Sequence, residues 1–216
     1  GNAGVGIKDI PMISRVAYPQ SREFFMGGGM TMSQTLRKIT ETAIMLAIGT
    51  VLSLLQFTGL WALGGSITIC SMLPVILIAH RYGTKWGLLT ALSYSLLQLL
   101  LGLNNVQYAP NALTAIGIIL LDYVLAFGVL GFAAVFDPVC KNKRTSILIG
   151  IVVTLSARFL CHFVSGIIIW EALWPNALGW SMWIWSLAYN GSYMLPEMII
   201  TAAAAYVLYK PTEKYW

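Results

Sequence analysis

The sequence predicts an all-α integral membrane protein, a bundle of six transmembrane helices with both termini cytoplasmic. Three observations carry that expectation. Of 216 residues 58% are hydrophobic and only 10% charged, against about 25% charged in a soluble domain. The mean hydropathy is +0.76. The Lys and Arg residues fall in short clusters that alternate with uncharged loops rich in Trp. A net charge of +5 would also fit a nucleic-acid binder. Basic residues set between apolar runs follow membrane topology instead, so nucleic acid is not an expected partner.

Residues 1–35 hold no sustained apolar run, so they are neither a signal peptide nor a span. Gly27-Gly28-Gly29 stands just before Met30 and Met32, and the stretch reads as a disordered tail, a tag remnant or an upstream extension. Residues 36–210 form the membrane domain. Its first run is Leu36 to Phe57, opened by Arg37 and Lys38. Ala43 and Ala47 within it form a small-xxx-small pair that lets another helix approach closely. Ile67 to His80 is short for a span of about 20 residues and contains Pro74, so it reads as tilted, kinked or partly buried. Lys85 to Leu103 is the third run. The fourth, Leu113 to Phe136, carries Asp122 and Tyr123 inside it and stops at Asp137-Pro138. After a basic turn of Lys141, Lys143 and Arg144 come Ile147 to Trp170 and then Trp183 to Tyr209, with Pro196-Glu197 inside the last.

Orientation follows from the cations. Arg37, Lys38, Arg81, Lys85, Lys141, Lys143, Arg144, Lys210 and Lys214 mark alternate ends of the runs, and the loops near 58–66, 104–111 and 171–182 have no Lys or Arg. The positive-inside rule then puts the basic ends and both termini in the cytoplasm. Trp61, Tyr108, Trp170, Trp174, Trp180 and Trp183 lie toward the outer face, where some serve as interface anchors. Cys70, Cys140 and Cys161 have neither metal nor disulfide spacing and read as small buried hydrophobes.

One stretch concentrates polar groups where they are costly. Arg158, His162, Gly166 and Trp170 stand four residues apart, which keeps them on one slowly drifting helix face. Asn190 enters from the next helix. Arg158 lies roughly 20 Å past the basic turn at about 1.5 Å per residue, too deep for easy snorkelling. A pairing of Asp122 with Arg158 would lower the cost of both. Asp122 and Asn190 offer hydrogen bonds to a polar heteroaromatic ring, Gly166 leaves room for a flat ring, and Trp170 and Trp185 can stack on it or face a cation. Each feature has a plain structural alternative: an ion pair, a satisfied core histidine, an aromatic belt. Their convergence in one membrane half favours a site for a small aromatic, cationic ligand. Glu197 reads as satisfying backbone groups freed by Pro196.

Other classes have weaker support. Ser165 beside His162 suggests an intramembrane hydrolase, yet both sit on one helix with no separate histidine helix. A channel or a purely structural bundle is a further alternative. Two histidines at different depths do not make a metal site, so no metal is expected. No Walker A motif is present, so ATP-driven work needs a partner.

The order and spacing of TETAIMLAIG (40–49), GGSITICSMLP (64–74), LLDYVLAFGVLG (120–131), ARFLCHFVSGIIIW (157–170) and WSLAYNGSYMLPE (185–197) resemble the thiamine-specific substrate-binding (S) component of energy-coupling factor (ECF) vitamin transporters. The resemblance runs from Leu36 to Tyr209. It implies six helices, no catalysis, no cofactor in this chain and a thiamine pocket near the outer face of a bacterial cell membrane. By position it implies that Asp122 meets the aminopyrimidine, with Tyr123 beside it. Arg158, His162, Gly166 and Trp170 are placed on the fifth helix, with Trp170 stacking, and Trp185 and Asn190 on the sixth. Trp61 is the nearest candidate for a Trp over the thiazolium. Members carry Glu and Lys where this chain has Asp122 and Arg158. The resemblance further implies an ECF transmembrane coupling subunit docking on Ala43 and Ala47, and two ATPase subunits. A related pyrimidine or thiazole precursor is the alternative ligand.

Overall fold

The computed structural model describes residues 33–58, 65–176 and 178–215, and the fold is that of the unit Gln34–Trp216. The expectations for residues 1–32, and for Trp61, lie outside the described residues. Helix α1 spans Gln34–Leu54. Two short strands follow, β1 (Gln56–Phe57) and β2 (Ile67–Thr68), paired antiparallel with Gln56 opposite Thr68. Next come α2 (Leu73–Tyr82), α3 (Thr84–Leu101) and the short α4 (Leu103–Val106). Three long helical bodies complete the chain: α5 (Ala112–Phe136), α6 (Lys143–Leu173) and α7 (Met182–Thr212). These three are long and apolar enough to cross a membrane. Helix α1 is long enough as well, but Arg37, Lys38 and Glu41 crowd its first turns and dilute its apolar character.

Local chemistry sets the boundaries. Asn111, Asn142 and Ser181 cap α5, α6 and α7, each side chain accepting a backbone N–H of the first turn. Pro74 does not interrupt a span: it occupies the first turn of α2, where its missing N–H costs nothing. Gly83 turns the chain from α2 to α3 at φ +86°, a region that disfavours side chains.

The short α2 is the centre of the bundle. Val75, Ile76, Ile78 and Ala79 are buried against α3, α5 and α6, with Tyr94, Leu130, Ile151 and Leu155 closing the core. Close approach of α3 to α5 needs Gly131, since a Cβ there would meet the Leu88 backbone at 2.5 Å. The outer faces are apolar and exposed, as at Val207 of α7 and Leu113 of α5, which suits a surface solvated by lipid chains.

One end of the bundle is tied by charge. Glu41 accepts from Arg37 Nε at 2.8 Å, from Arg81 Nη2 at 3.1 Å and from the Tyr82 hydroxyl, with Arg81 Nε 2.6 Å from Oε2 in an ion pair. Beside it, Asp137 joins α2, α5 and α6. It accepts from Lys143 Nζ at 2.7 Å and Ser146 Oγ at 2.7 Å, and lies 2.8 Å from His80 Nδ1. Burial alone would push the Asp137 carboxyl up, but the Lys143 and Ser146 hydrogen bonds and the His80 ring outweigh it and hold the pKa below the usual carboxylate value. The other end is left free for a cavity.

Candidate functional site

A cavity of about 400 Å³ opens there, within the usual range for small-molecule sites. Its walls are the end of α1, β2, the ends of α3 and α4, and the facing halves of α5, α6 and α7. Asp122 and Tyr123 from α5 border it, as do Arg158, His162, Gly166 and Trp170 from α6 and Trp185 and Asn190 from α7. Every predicted ligand residue within the described residues therefore converges on one space.

The helices change geometry where they meet it. Residues Ile119–Leu125 of α5 and Gly166–Trp170 of α6 are π-helical. The wider π turn redirects side chains relative to an α-helix and recurs at functional sites. The two π segments face one another through Asp122. Its Oδ2 accepts from Trp170 Nε1 at 2.9 Å and from Ser165 Oγ at 2.8 Å, and its Oδ1 lies 3.0 Å from His162 Nδ1. A carboxylate only accepts, so this geometry places the proton on Nδ1. His162 Nε2 is buried and has no hydrogen-bond partner among the described residues.

The expected Asp122–Arg158 pair is not formed, and that expectation is corrected. Asp122 is occupied by His162, Ser165 and Trp170, about one to three turns further along α6 than Arg158. The Arg158 guanidinium lies instead 4.2 Å from the centroid of Phe127, with one nitrogen against the Met72 sulfur, and its Nε has no partner. A cation over an aromatic face is a recognised way to hold an apolar-buried guanidinium.

Gly166 has a packing role besides its place on the cavity wall. A Cβ there would stand 2.2 Å from Ser186 Oγ and 3.1 Å from Asn190 Nδ2. The missing side chain makes room for α7, and Gly166 also borders the cavity. Asn190 is committed to the same seam: Nδ2 donates to the Ser186 carbonyl at 3.0 Å and Oδ1 accepts from Tyr193 at 2.6 Å. Tyr123 fastens the end of α3, donating to the Gly102 carbonyl at 2.9 Å and accepting from Asn105 Nδ2 at 3.0 Å.

Aromatic rings line the outer part. Trp170 and Trp174 are stacked at 5.9 Å with 17° between planes, and Tyr108 meets Trp174 edge-on at 4.7 Å. Trp185 sits between Trp180 at 6.3 Å and Tyr189 at 5.7 Å. The sequence reading missed Ser165, Trp174, Tyr193 and Thr68 as cavity or Asp122 neighbours. Ser165 carried a signal: a hydroxyl three residues after His162 returns to the same helix face. Glu197 does not satisfy backbone freed by Pro196. It accepts from Thr68 N at 2.5 Å and Thr68 Oγ1 at 2.6 Å, across the cavity wall.

The geometry is poor for hydrolysis. Ser165 is fully buried and donates to Asp122, and His162 turns its Nδ1 to the same carboxylate, so the imidazole does not activate the hydroxyl. Among the described residues no group of three His, Cys, Asp or Glu could hold a metal ion.

Fold and site thus define a polytopic helical membrane protein that encloses a polar, aromatic cavity of ligand size. Residues 39–215 match the family model described as thiamine transporter protein (Thia_YuaJ). Thiamine transporter ThiT of Bacillus subtilis (strain 168) is 33% identical over 190 residues, covering 83% of this chain and 94% of that protein. Thiamine transporter ThiT of Lacticaseibacillus paracasei is 26% identical, covering 83% and 90%. Among solved structures, ThiT from Listeria monocytogenes superposes with a TM-score of 0.67 at 25% identity, covering 84% of this chain and 97% of that one. The S component of a bacterial ECF transporter gives 0.58 at 16% identity, covering 84% and 98%, which supports the fold alone. The chain belongs to the thiamine transporter protein family. It is a multi-pass bacterial membrane protein of a transport family, not an enzyme.

Proposed function

We propose that this chain is the substrate-binding subunit of an ECF-type transporter: it captures thiamine at the outer face and hands it on for ATP-driven uptake by partner subunits. The observation that carries the reading is the cavity itself. It gathers one carboxylate held by three neighbours, an unpartnered imidazole nitrogen and two stacked indoles in about 400 Å³. Asp122 with His162 Nε2 suits the hydrogen-bonding edge of an aminopyrimidine. The Trp170 and Trp174 rings suit a cationic thiazolium. The relatives' names, thiamine transporter, agree with this chemistry.

In this reading six helices cross the bilayer with both termini cytoplasmic, the charged Glu41 and Asp137 end faces inward and the cavity faces out. Ala43 and Ala47 are both exposed on α1, which leaves a small-residue face open to a transmembrane coupling subunit that works with two ATPase subunits. The test is a titration of the purified chain with thiamine, read by Trp fluorescence, beside separate pyrimidine and thiazole precursors and unrelated vitamins. Submicromolar, thiamine-selective binding is expected. Equal binding of a precursor would reassign the ligand, and no selectivity over unrelated vitamins would end the proposal.

A further inference from the structure

The wall of the cavity opposite α5 and α6 is β2, a two-residue strand far from α7 in sequence. Glu197 reaches it from α7. The carboxylate is 2% exposed, borders the cavity, and has no ion-pair partner among the described residues. Both of its oxygens are used on one residue: Oε2 accepts the Thr68 N–H at 2.5 Å and Oε1 the Thr68 hydroxyl at 2.6 Å. Thr68 Oγ1 lies 2.8 Å from Ser71 Oγ, so the tie continues to the approach of α2. Ser186, Asn190, Tyr193 and Met194 share the cavity-facing side of α7 with Glu197. An ionisable group this deep in a span is costly, and a purely structural tie could be made by a neutral side chain.

We propose that Glu197 is a positioning residue for the ligand site: its carboxylate fastens β2 to α7 through Thr68 and fixes the cavity wall that retains the ligand. The inference rests on the ligand-binding reading above. Glu197 need not touch the ligand. Its effect falls on how long the ligand stays, because a loosened wall opens an exit without altering the contacts of Asp122.

The experiment uses the full chain in nanodiscs. Glu197→Leu removes both bonds, Thr68→Val removes the hydroxyl bond, and Thr68→Ser keeps both. Thiamine dissociation is followed by stopped-flow Trp fluorescence, and amide exchange over residues 65–72 by mass spectrometry. Thr68→Val is expected to speed dissociation about tenfold, the scale of one hydrogen bond to a charged group, and Glu197→Leu at least as much. The double variant is expected to release little faster than Glu197→Leu alone, since that change already breaks the whole tie. Thr68→Ser should match the parent. Exchange over 65–72 should rise in Glu197→Leu with no ligand present. A merely structural role would lower the fraction of binding-competent protein but leave the release rate of the remainder unchanged. Release rates within twofold of the parent, fully multiplicative effects, or unchanged exchange would overturn the inference. A parent chain that does not bind thiamine refutes the functional reading instead, and the exchange measurement then decides the tie alone.

Discussion

Replacing Gly166 with Ala tests the seam between α6 and α7. The added methyl would stand 2.2 Å from Ser186 Oγ, against an ordinary contact of 3.4–4 Å, so the hydroxyl must move by more than about 1 Å. That hydroxyl donates to the Phe163 carbonyl at 2.8 Å and accepts from Asn190 Nδ2 at 3.1 Å. Rotating it away forfeits about 1 kcal/mol of hydrogen bonding, and overpacking costs about 1–3 kcal/mol. A total of about 2–4 kcal/mol, at about 2–4 °C per kcal/mol for a chain of this size, lowers Tm by roughly 4–16 °C. Thermal unfolding in detergent reads the change. Adding Ser186→Gly removes the obstructing atoms and should recover most of the loss, a coupling that a double-mutant cycle measures. If Gly166→Ala melts like the parent, binds thiamine more than tenfold weaker and is not rescued by Ser186→Gly, the gap serves a ligand ring and the seam account is wrong.

Asp122→Asn should weaken thiamine binding by about a hundredfold or more: it puts an amide donor among the His162, Ser165 and Trp170 donors and removes a charged acceptor; calorimetry checks it, and a loss under tenfold would displace Asp122 from the centre of the site. Arg158→Met should leave Tm unchanged or raised, because a flexible apolar chain can lie on Phe127 and Met72 in place of an unpaired cation; its effect on thiamine affinity should add to that of Asp122→Asn, and strong non-additivity would reinstate a link between the two. Asp137, whose folded pKa is depressed, contributes stability that is present above the usual carboxylate pKa and lost as pH falls below about 4. Melting curves from pH 7 to 2.5 should show that loss, and Asp137→Asn, already without it at pH 7, should show a smaller change; equal slopes would remove Asp137 from the account.

The membrane class and the cavity-facing residues were legible because apolar runs and buried polar groups leave a mark in sequence. Four-residue spacing brought Arg158, His162, Gly166 and Trp170 to one face, and that face borders the cavity. The partners of those residues were not legible. Pairing Asp122 with Arg158 rested on charge alone, and sequence carries no depth finer than a helix turn. About one to three turns along α6, the donors of His162, Ser165 and Trp170 satisfy the carboxylate instead. Gly166 shows the same limit: sequence marks a place without a side chain, but only the packing of α7 says which neighbour fills it. The Thr68–Glu197 tie spans 129 residues and follows no periodicity at all.

The π segments explain why the site can exist. In a regular α-helix the Ser165 hydroxyl and the Trp170 indole, five positions apart, are rotated by well over a right angle and would not aim at one atom. The π turn Gly166–Trp170 has a period closer to that spacing, so both donors reach Asp122 Oδ2. Asp122 itself sits in the π turn of α5, which brings its short side chain across to α6. These turns border the polar cavity on one side, while Leu120 and Ile168 keep apolar side chains on the exposed side. Ligand site and helix irregularity are therefore one feature: the same widening that spoils an even helix points three groups at one carboxylate and leaves the indole faces to the cavity.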